Sequence, residues 1–184
     1  MPANTPRGYP YPLYSDPANF PAQSQAFATA VDTDVQAQVA SIADALQSPS
    51  AAVSATANQA IANTTITVVT FATEDYDNAA MANLGVNNDR LTITETGFYL
   101  LSAFVTFATN GNSAGGRAMQ ITNLAGTAYG RQSLRGSSTE LVELSCTTAV
   151  SLAAADVIQV RVRQTSGASE NITARAFSAT KVAD

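Results

Sequence analysis

Carboxylates are the residues of this chain that could perform acid–base chemistry. They occur in two local groups, Glu74 with Asp75 and Asp77, and Glu140 with Glu143. Glycoside hydrolysis needs a pair of carboxylates, one acting as general acid and the other as base or nucleophile. Sites that act on carbohydrate usually present aromatic platforms as well, and the chain has no tryptophan. We expect no enzyme activity, and a carbohydrate-active hydrolase stays a remote alternative.

Histidine is absent from all 184 residues, and Cys146 is the one cysteine. The chain therefore lacks the commonest general base and metal ligand, and it cannot form a thiolate cluster. Cys146 lies in a strand-like run, which predicts a small buried hydrophobic side chain rather than a reactive thiol. We predict no catalytic residue, no metal site and no cofactor.

The segment from Glu74 to Asn78 has oxygen ligands at alternate positions, as calcium loops do. It lacks the glycine and the distal bidentate glutamate of an EF-hand. We expect a solvated acidic loop, with a bound cation as the alternative.

Arg161 and Arg163 alternate with Val160 and Val162, so the two arginines share one face of a predicted strand. This pattern is typical of a solvated strand face. Ion pairs between subunits are the alternative interpretation.

Charge is sparse along the chain and unevenly placed. Only 12% of the residues are charged, 46% are hydrophobic, and the net charge is −5. Residues 1–89 hold eight acids against Arg7 alone, while residues 90–184 hold six acids against eight bases. Neither half is basic enough to favour nucleic acid as a partner. The N-terminus lacks the basic and apolar regions of a signal peptide, and no apolar run approaches a membrane span, so membrane insertion is not expected.

Residues 1–21 are predicted to form an extended docking arm. The segment holds six of the seven prolines, which disfavour a helix or a central strand. Its aromatic side chains argue against a simply solvated tail, and a disordered terminus is the alternative. The predicted docking residues are Tyr9, Tyr11, Tyr14 and Phe20.

An amphipathic helix, the stalk, is predicted over residues 22–47. Six apolar residues follow one another at spacings of 4, 4, 4, 3 and 4, which places them in one stripe about 120° wide. Such a stripe must be covered by copies of the same helix or by another protein. The stripe consists of Phe27, Val31, Val35, Val39, Ile42 and Leu46. We assign the last four of these to the interface between subunits.

Residues 64–184 are predicted to form a β-sandwich or jelly roll, because strand-like runs alternate with turn signals. Residues 48–63 are small and polar, which indicates a connector, with a short helix as the alternative. The fold class is therefore mainly β, a C-terminal jelly-roll sandwich preceded by an arm and a helical stalk. The runs are 64–73, 90–94, 97–108, 117–123, 128–134, 140–152, 157–164 and 173–182.

The run from Gly97 to Phe107 is apolar on both of its faces. A lone sandwich buries only one face of each sheet, so copies of the chain are expected to cover the other. The strand therefore predicts an oligomer. One face carries Tyr99, Leu101, Ala103, Val105 and Phe107, and the other carries Phe98, Leu100, Ser102, Phe104 and Thr106.

Three motifs in the C-terminal 120 residues resemble the tumour-necrosis-factor and complement-type trimeric jelly roll. Residues 91–99, Leu-Thr-Ile-Thr-Glu-Thr-Gly-Phe-Tyr, resemble the turn and Gly-Leu-Tyr that open the long central strand. Residues 152–156 resemble the Leu-x-x-Gly-Asp entry to the penultimate strand, and residues 177–182 resemble the closing Phe-Ser-Gly-Phe strand. Two positions depart from the pattern. Ala155 replaces a glycine, which we expect to have no consequence, and Lys181 stands where the family is apolar.

The resemblance implies a homotrimer and assigns the two faces of the central strand. It directs Tyr99, Leu101 and Ala103 toward the sandwich interior. The unbroken apolar row agrees with this assignment, because polar interruptions are better tolerated at an interface. The predicted three-fold interface consists of Phe98, Leu100, Ser102 and Phe104.

The phrase Thr5-Pro-Arg-Gly-Tyr-Pro-Tyr-Pro, followed by Asp16 and an alanine-rich helix, is similar to the start of minor tail and virion-attached proteins of tailed phages of actinobacteria. This similarity implies a structural virion component, assembled in the host cytoplasm. We expect a trimeric tail appendage, anchored to other virion proteins by its arm, with an outward head for adhesion to host surface carbohydrate. A capsid decoration or head-fibre protein is the alternative.

Overall fold

The computed structural model describes residues 3–4, 10–11, 20–45, 47–109 and 115–183. The chain divides into two compact units, residues 1–47 and residues 48–184. The described part of the first unit holds two short antiparallel strands and one helix. These are β1 (Ala3–Asn4), β2 (Pro10–Tyr11) and α1 (Phe20–Ala45).

Helix α1 begins and ends two residues earlier than the predicted range of 22–47. Pro21 lies in its first turn, where the missing N–H donor would have had no partner in the helix. One turn is supported by side chains, since Gln36 Nε2 donates to an Asp32 carboxylate oxygen at 3.0 Å. The structure therefore has a helix of 26 residues where the apolar periodicity predicted one.

The second unit is a sandwich of two antiparallel sheets. The first sheet has the strand order β11-β8-β13-β3-β6, with β4 also paired to β13. The second sheet has the order β10-β9-β12-β5, with β7 also paired to β12. The strands are β3 (Ser50–Ala55), β4 (Gln59–Ile61), β5 (Thr67–Val68), β6 (Thr73–Asp77), β7 (Leu91–Thr92), β8 (Gly97–Phe107), β9 (Gly116–Asn123), β10 (Ala128–Arg135), β11 (Val142–Leu152), β12 (Val157–Gln164) and β13 (Glu170–Ala183).

Residues 48–63 are not the predicted connector, and they form no helix. They contain β3, which pairs with β13 on one side and β6 on the other, and the short strand β4. Ala51, Val53 and Ala55 of β3 are buried while the residues between them are partly exposed. The head therefore begins near residue 48 rather than at residue 64.

The core lies between the two sheets and follows the period-two alternation of the strands. In β8 the side chains of Tyr99, Leu101, Val105 and Phe107 are fully buried, and Ala103 is 3% exposed. They pack with alternate residues of the opposite sheet. Those contributed by β9 and β12 are Met119, Ile121, Ile158, Val160 and Val162.

Candidate functional site

The outer side of the first sheet carries a row of large apolar side chains along β8, its long central strand. Phe98, Leu100 and Phe104 are 42%, 43% and 43% exposed, and Ser102 between them is partly exposed. All four were predicted to lie at the three-fold interface, and the structure brings them together on one surface. Thr106 extends this row but is only 4% exposed.

The strands beside β8 surround this row with small, uncharged side chains. The register places Thr180 and Ala149 beside Leu100, and Ala176 and Ser145 beside Phe104. We call this surface the apolar face. It consists of Phe98, Leu100, Ser102 and Phe104 of β8, with Ser145, Thr147, Ala149 and Ser151 of β11, Ala176, Ser178 and Thr180 of β13, and Ser50, Ala52 and Ser54 of β3.

Two carboxylates border the apolar face. At the β3 edge, the Ser54 hydroxyl donates to Asp75 Oδ1 at 3.0 Å. Glu143 pairs with Thr106 at the end of the row, where the Thr106 hydroxyl donates to it at 3.5 Å. Within the face, the Ser102 and Thr147 hydroxyls lie 3.1 Å apart. These two hydroxyl groups can therefore hydrogen-bond to each other and need no water partner when the face is covered.

The stripe of helix α1 is also exposed. Phe27, Val35, Val39 and Ile42 are 46%, 51%, 61% and 59% exposed. Leu46, the last residue of the predicted stripe, lies outside the described residues. So do Tyr9 and Tyr14, and the side chains of Tyr11 and Phe20 likewise lie outside the described part. The predicted docking function of the arm stays a prediction.

The acidic segment from Glu74 to Asn78 is not a loop, because Thr73–Asp77 form the edge strand β6. The Asp77 carboxylate accepts hydrogen bonds from the backbone N–H groups of Ala79, Met81 and Ala82, at 3.0, 3.1 and 2.7 Å. This carboxylate therefore closes the turn after β6. No group of three or more acidic, cysteine or histidine side chains suited to a metal ion occurs among the described residues.

The other candidate groups from the sequence are Glu140, Glu143 and Cys146. Glu140 and Glu143 are exposed, and Glu143 Oε1 accepts the Thr106 hydroxyl. Cys146 is partly buried beside Gly130, and burial raises the pKa of its thiol. A raised pKa disfavours the thiolate, which is the reactive form of cysteine.

A buried ion pair that the sequence did not reveal joins β9 to β13. Arg117 Nε lies 2.6 Å from Glu170 Oε2, and Arg117 Nη2 donates to Glu170 Oε1 at 2.9 Å. The two side chains are 0% and 1% exposed. The Nη2–Oε1 contact is a charge-assisted hydrogen bond, while the Nε–Oε2 contact is an ion pair without hydrogen-bond geometry. Gly136 makes room for the pair, since a Cβ at residue 136 would lie 2.3 Å from Arg117 Nη1.

Lys181, which departs from the resemblance noted above, does not lie on the apolar face. Its register partner is Tyr99, whose side chain points to the core, and its amine pairs with Glu95 at 3.2 Å. The stem of Lys181 crosses Gly97 so closely that a Cβ there would lie 2.4 Å from Lys181 Cε. The lysine therefore leaves the apolar face uncharged.

Ala155 has a consequence that we did not expect from the sequence. Its φ is 72°, in the left-handed region that favours glycine. The turn is held in this shape because the Asp156 carboxylate accepts the Ala153 N–H at 2.8 Å and the Ile93 carbonyl accepts the Ala155 N–H at 2.7 Å. The alanine therefore adds strain at the entry to β12.

The outer side of the second sheet carries a group of arginines. The register places Arg131 beside Gln120 and Gln120 beside Arg161, which makes one polar row across three strands. Arg163 lies two residues further along β12 on the same face. These side chains line a cavity of about 260 Å³, whose other lining residues are Thr64, Ile66, Ala118 and Val162. We call it the arginine cavity.

Among the described residues, no helix is both long enough and apolar enough to cross a membrane.

Solved structures of two proteins resemble the second unit. The globular domain of zebrafish complement 1qA protein matches with a TM-score of 0.50 and 13% identity, over 73% of this chain and 97% of that chain. Murine APRIL matches with a TM-score of 0.54 and 14% identity, over 74% of this chain and 100% of that chain. No protein-family model and no curated protein sequence matches the chain. The head therefore has a jelly-roll fold of the complement C1q and tumour-necrosis-factor type.

Proposed function

We propose that this protein is a homotrimeric structural protein whose subunits meet through the apolar face. The observation that carries the proposal is the row of Phe98, Leu100 and Phe104, each more than two-fifths exposed on the central strand. Full burial of such a side chain stabilises by about 1.5–3 kcal/mol, so covering the exposed part would contribute about 1 kcal/mol for each. Three subunits would bury nine of these side chains.

The distribution of charge favours this sheet as the interface. The centres of protein interfaces are depleted in charged residues, and the apolar face holds none. The outer side of the second sheet instead presents Arg131, Arg161 and Arg163. A subunit packing on the first sheet avoids the cost of removing these cations from water.

Helix α1 supports self-association independently. Its four described stripe residues with large exposure share one side of the helix, and a parallel bundle would cover them. The mean spacing of the stripe is about 3.8 residues, above the 3.5 of a heptad, so the bundle should be nearly straight or slightly right-handed. The number of subunits, three, follows from the resemblance of the head motifs to trimeric jelly rolls.

The mass of the full chain in solution tests self-association. We expect light scattering to give three times the chain mass of 19.0 kDa at all concentrations accessible to the method. A mass of one chain would contradict the proposal, and a dimer would contradict its symmetry.

We further propose that the trimer is a component of a tailed-phage virion, anchored by residues 1–47, with the head available for adhesion. The similarity of the N-terminal phrase supports this assignment, and a tail position is slightly favoured over a capsid position. Electron microscopy of particles that carry a tagged copy should place the tag at the tail. A tag on the capsid would support the head-fibre alternative, and absence of the tag from particles would contradict a virion role.

A further inference from the structure

The arginine cavity holds three cations that the rest of the described chain leaves without acidic partners. The ion pairs among the described residues are Arg90 with Asp89, Arg117 with Glu170, and Lys181 with Glu95. None of them involves Arg131, Arg161 or Arg163. In a protein with a net charge of −5, such a grouping is a local concentration of positive charge.

Arg161 is fixed in place rather than freely solvated. Its Nη2 donates to the Leu124 carbonyl oxygen at 2.8 Å and to Gln159 Oε1 at 3.2 Å. The turn before β10 fits closely around it, because a Cβ on Gly126 would lie 2.8 Å from Arg161 Nη1. A guanidinium that is already ordered loses little conformational freedom when it binds a ligand.

The other two arginines complete the cavity from both sides. Arg163 Nε donates to the Thr64 carbonyl oxygen at 3.1 Å, and Thr64 also lines the cavity. Arg131 reaches the cavity from β10, across the amide of Gln120. Guanidinium groups bind carboxylate and phosphate oxygens with paired hydrogen bonds, while amides and hydroxyls suit sugar hydroxyl groups.

We propose that the arginine cavity binds the acidic group of a carbohydrate, a carboxylate or phosphate carried on a single sugar residue. The volume of about 260 Å³ is smaller than a drug-sized pocket and suits one such residue. The choice of a sugar rests on the adhesive role proposed above, whereas the choice of an anion rests on the arginines alone. The cavity and the apolar face belong to opposite sheets of the sandwich, so trimer formation through that face would leave the cavity open.

Calorimetric titration of the full chain tests this site with four probes, glucuronate, glucose 6-phosphate, inorganic phosphate and glucose. We expect binding of at least one acidic sugar in the millimolar range or tighter, no binding of glucose, and weakening as ionic strength rises. Binding of glucuronate alone would assign a carboxylate, and binding of glucose 6-phosphate alone would assign a phosphate. Inorganic phosphate binding as tightly as glucose 6-phosphate would overturn the sugar assignment.

Matched charge-neutralising variants locate the site. Arg131→Gln and Arg163→Gln should each weaken binding of the acidic sugar by about tenfold, because each removes a charged hydrogen-bond donor. Arg135→Gln removes the same charge from an exposed residue of β10 outside the cavity lining, and it should change binding by less than about twofold. Equal effects of all three variants, or no binding of any acidic probe, would overturn the proposal.

The mass of each variant separates this inference from the proposed trimer. All three variants should keep the mass of the parent protein, whatever that mass is. A change of mass in Arg163→Gln would instead support ion pairs between subunits and would overturn the ligand site.

Discussion

Leu100 and Leu101 are neighbours in β8 with opposite environments: the side chain of Leu101 is fully buried in the core, whereas that of Leu100 is 43% exposed. One strand thus supplies both the interior of the head and its uncovered outer surface. The two leucines are a matched pair, because the same substitution at each tests one face while the strand and residue type stay constant.

A charge at residue 101 should unfold the head, while the same charge at residue 100 should only separate the subunits. Leu101→Asp buries an unpaired carboxylate and should cost at least about 4 kcal/mol of folding free energy. Leu100→Asp places its carboxylate in water once the subunits part. We expect insoluble protein for the first variant and a soluble monomer of lower stability for the second. Solubility and light scattering decide the matter, and the reverse pattern would show that the faces are assigned the wrong way round.

Strand β3 should be required for the head to fold. A fragment of residues 48–184 retains it, and a fragment of residues 64–184 loses both β3 and β4. The shorter fragment also loses Val53, which is fully buried, and leaves the edge of β13 unpaired. We expect cooperative thermal unfolding by circular dichroism for residues 48–184 and none for residues 64–184. Equal melting temperatures for the two fragments would contradict this topology.

Ala155→Gly should stabilise the protein. Alanine in a left-handed conformation costs about 1–2 kcal/mol, and glycine removes most of this cost while adding less than about 1 kcal/mol of backbone entropy. We expect a gain of about 0.5–1 kcal/mol in urea denaturation. Ala154→Gly is the control, since residue 154 is also exposed but has no positive φ, and it should lower stability slightly. A loss of stability in Ala155→Gly would show that the left-handed conformation of Ala155 does not destabilise the protein.

The buried pair of Arg117 and Glu170 should behave as one unit. Removing a single partner leaves an uncompensated buried charge, so Arg117→Met or Glu170→Met should each cost about 3–5 kcal/mol. The double variant replaces both charges with apolar side chains and should be more stable than either single variant. Urea denaturation of the four proteins gives the coupling free energy. Additive losses would mean that the two side chains do not depend on each other.

The central part of the fold could be predicted from the sequence because its signals are local. The run of residues 97–107 is apolar on both faces, and the resemblance of its opening motif to trimeric jelly rolls directed Tyr99 and Leu101 to the core, where both are fully buried. The helix α1 was predicted from the spacing of its apolar residues. Strand β3 was missed because Ser-Ala-Ala-Val-Ser-Ala has few of the β-branched and aromatic residues that mark a strand. Its buried side chains do alternate with exposed ones, but a run of small residues such as this is also typical of a connector.

The parts of the candidate sites that could not be predicted depend on contacts between distant residues. Arg117 and Glu170 are 53 residues apart, and neither is flanked by a motif that indicates a partner. Arg161 and Arg163 were recognised as one face, but only the strand register brings Gln120 and Arg131 beside them. The left-handed φ of Ala155 was likewise set by hydrogen bonds of the turn, including one to Ile93.

The mass of the isolated head, residues 48–184, tests most directly whether the apolar face is the contact between subunits. This fragment lacks the arm and helix α1, so any association must come from the head itself. Light scattering over a dilution series should give the mass of a trimer for the parent fragment. The Leu100→Asp fragment should give the mass of a monomer. A monomeric parent fragment, or a trimer that survives Leu100→Asp unchanged, would contradict the account.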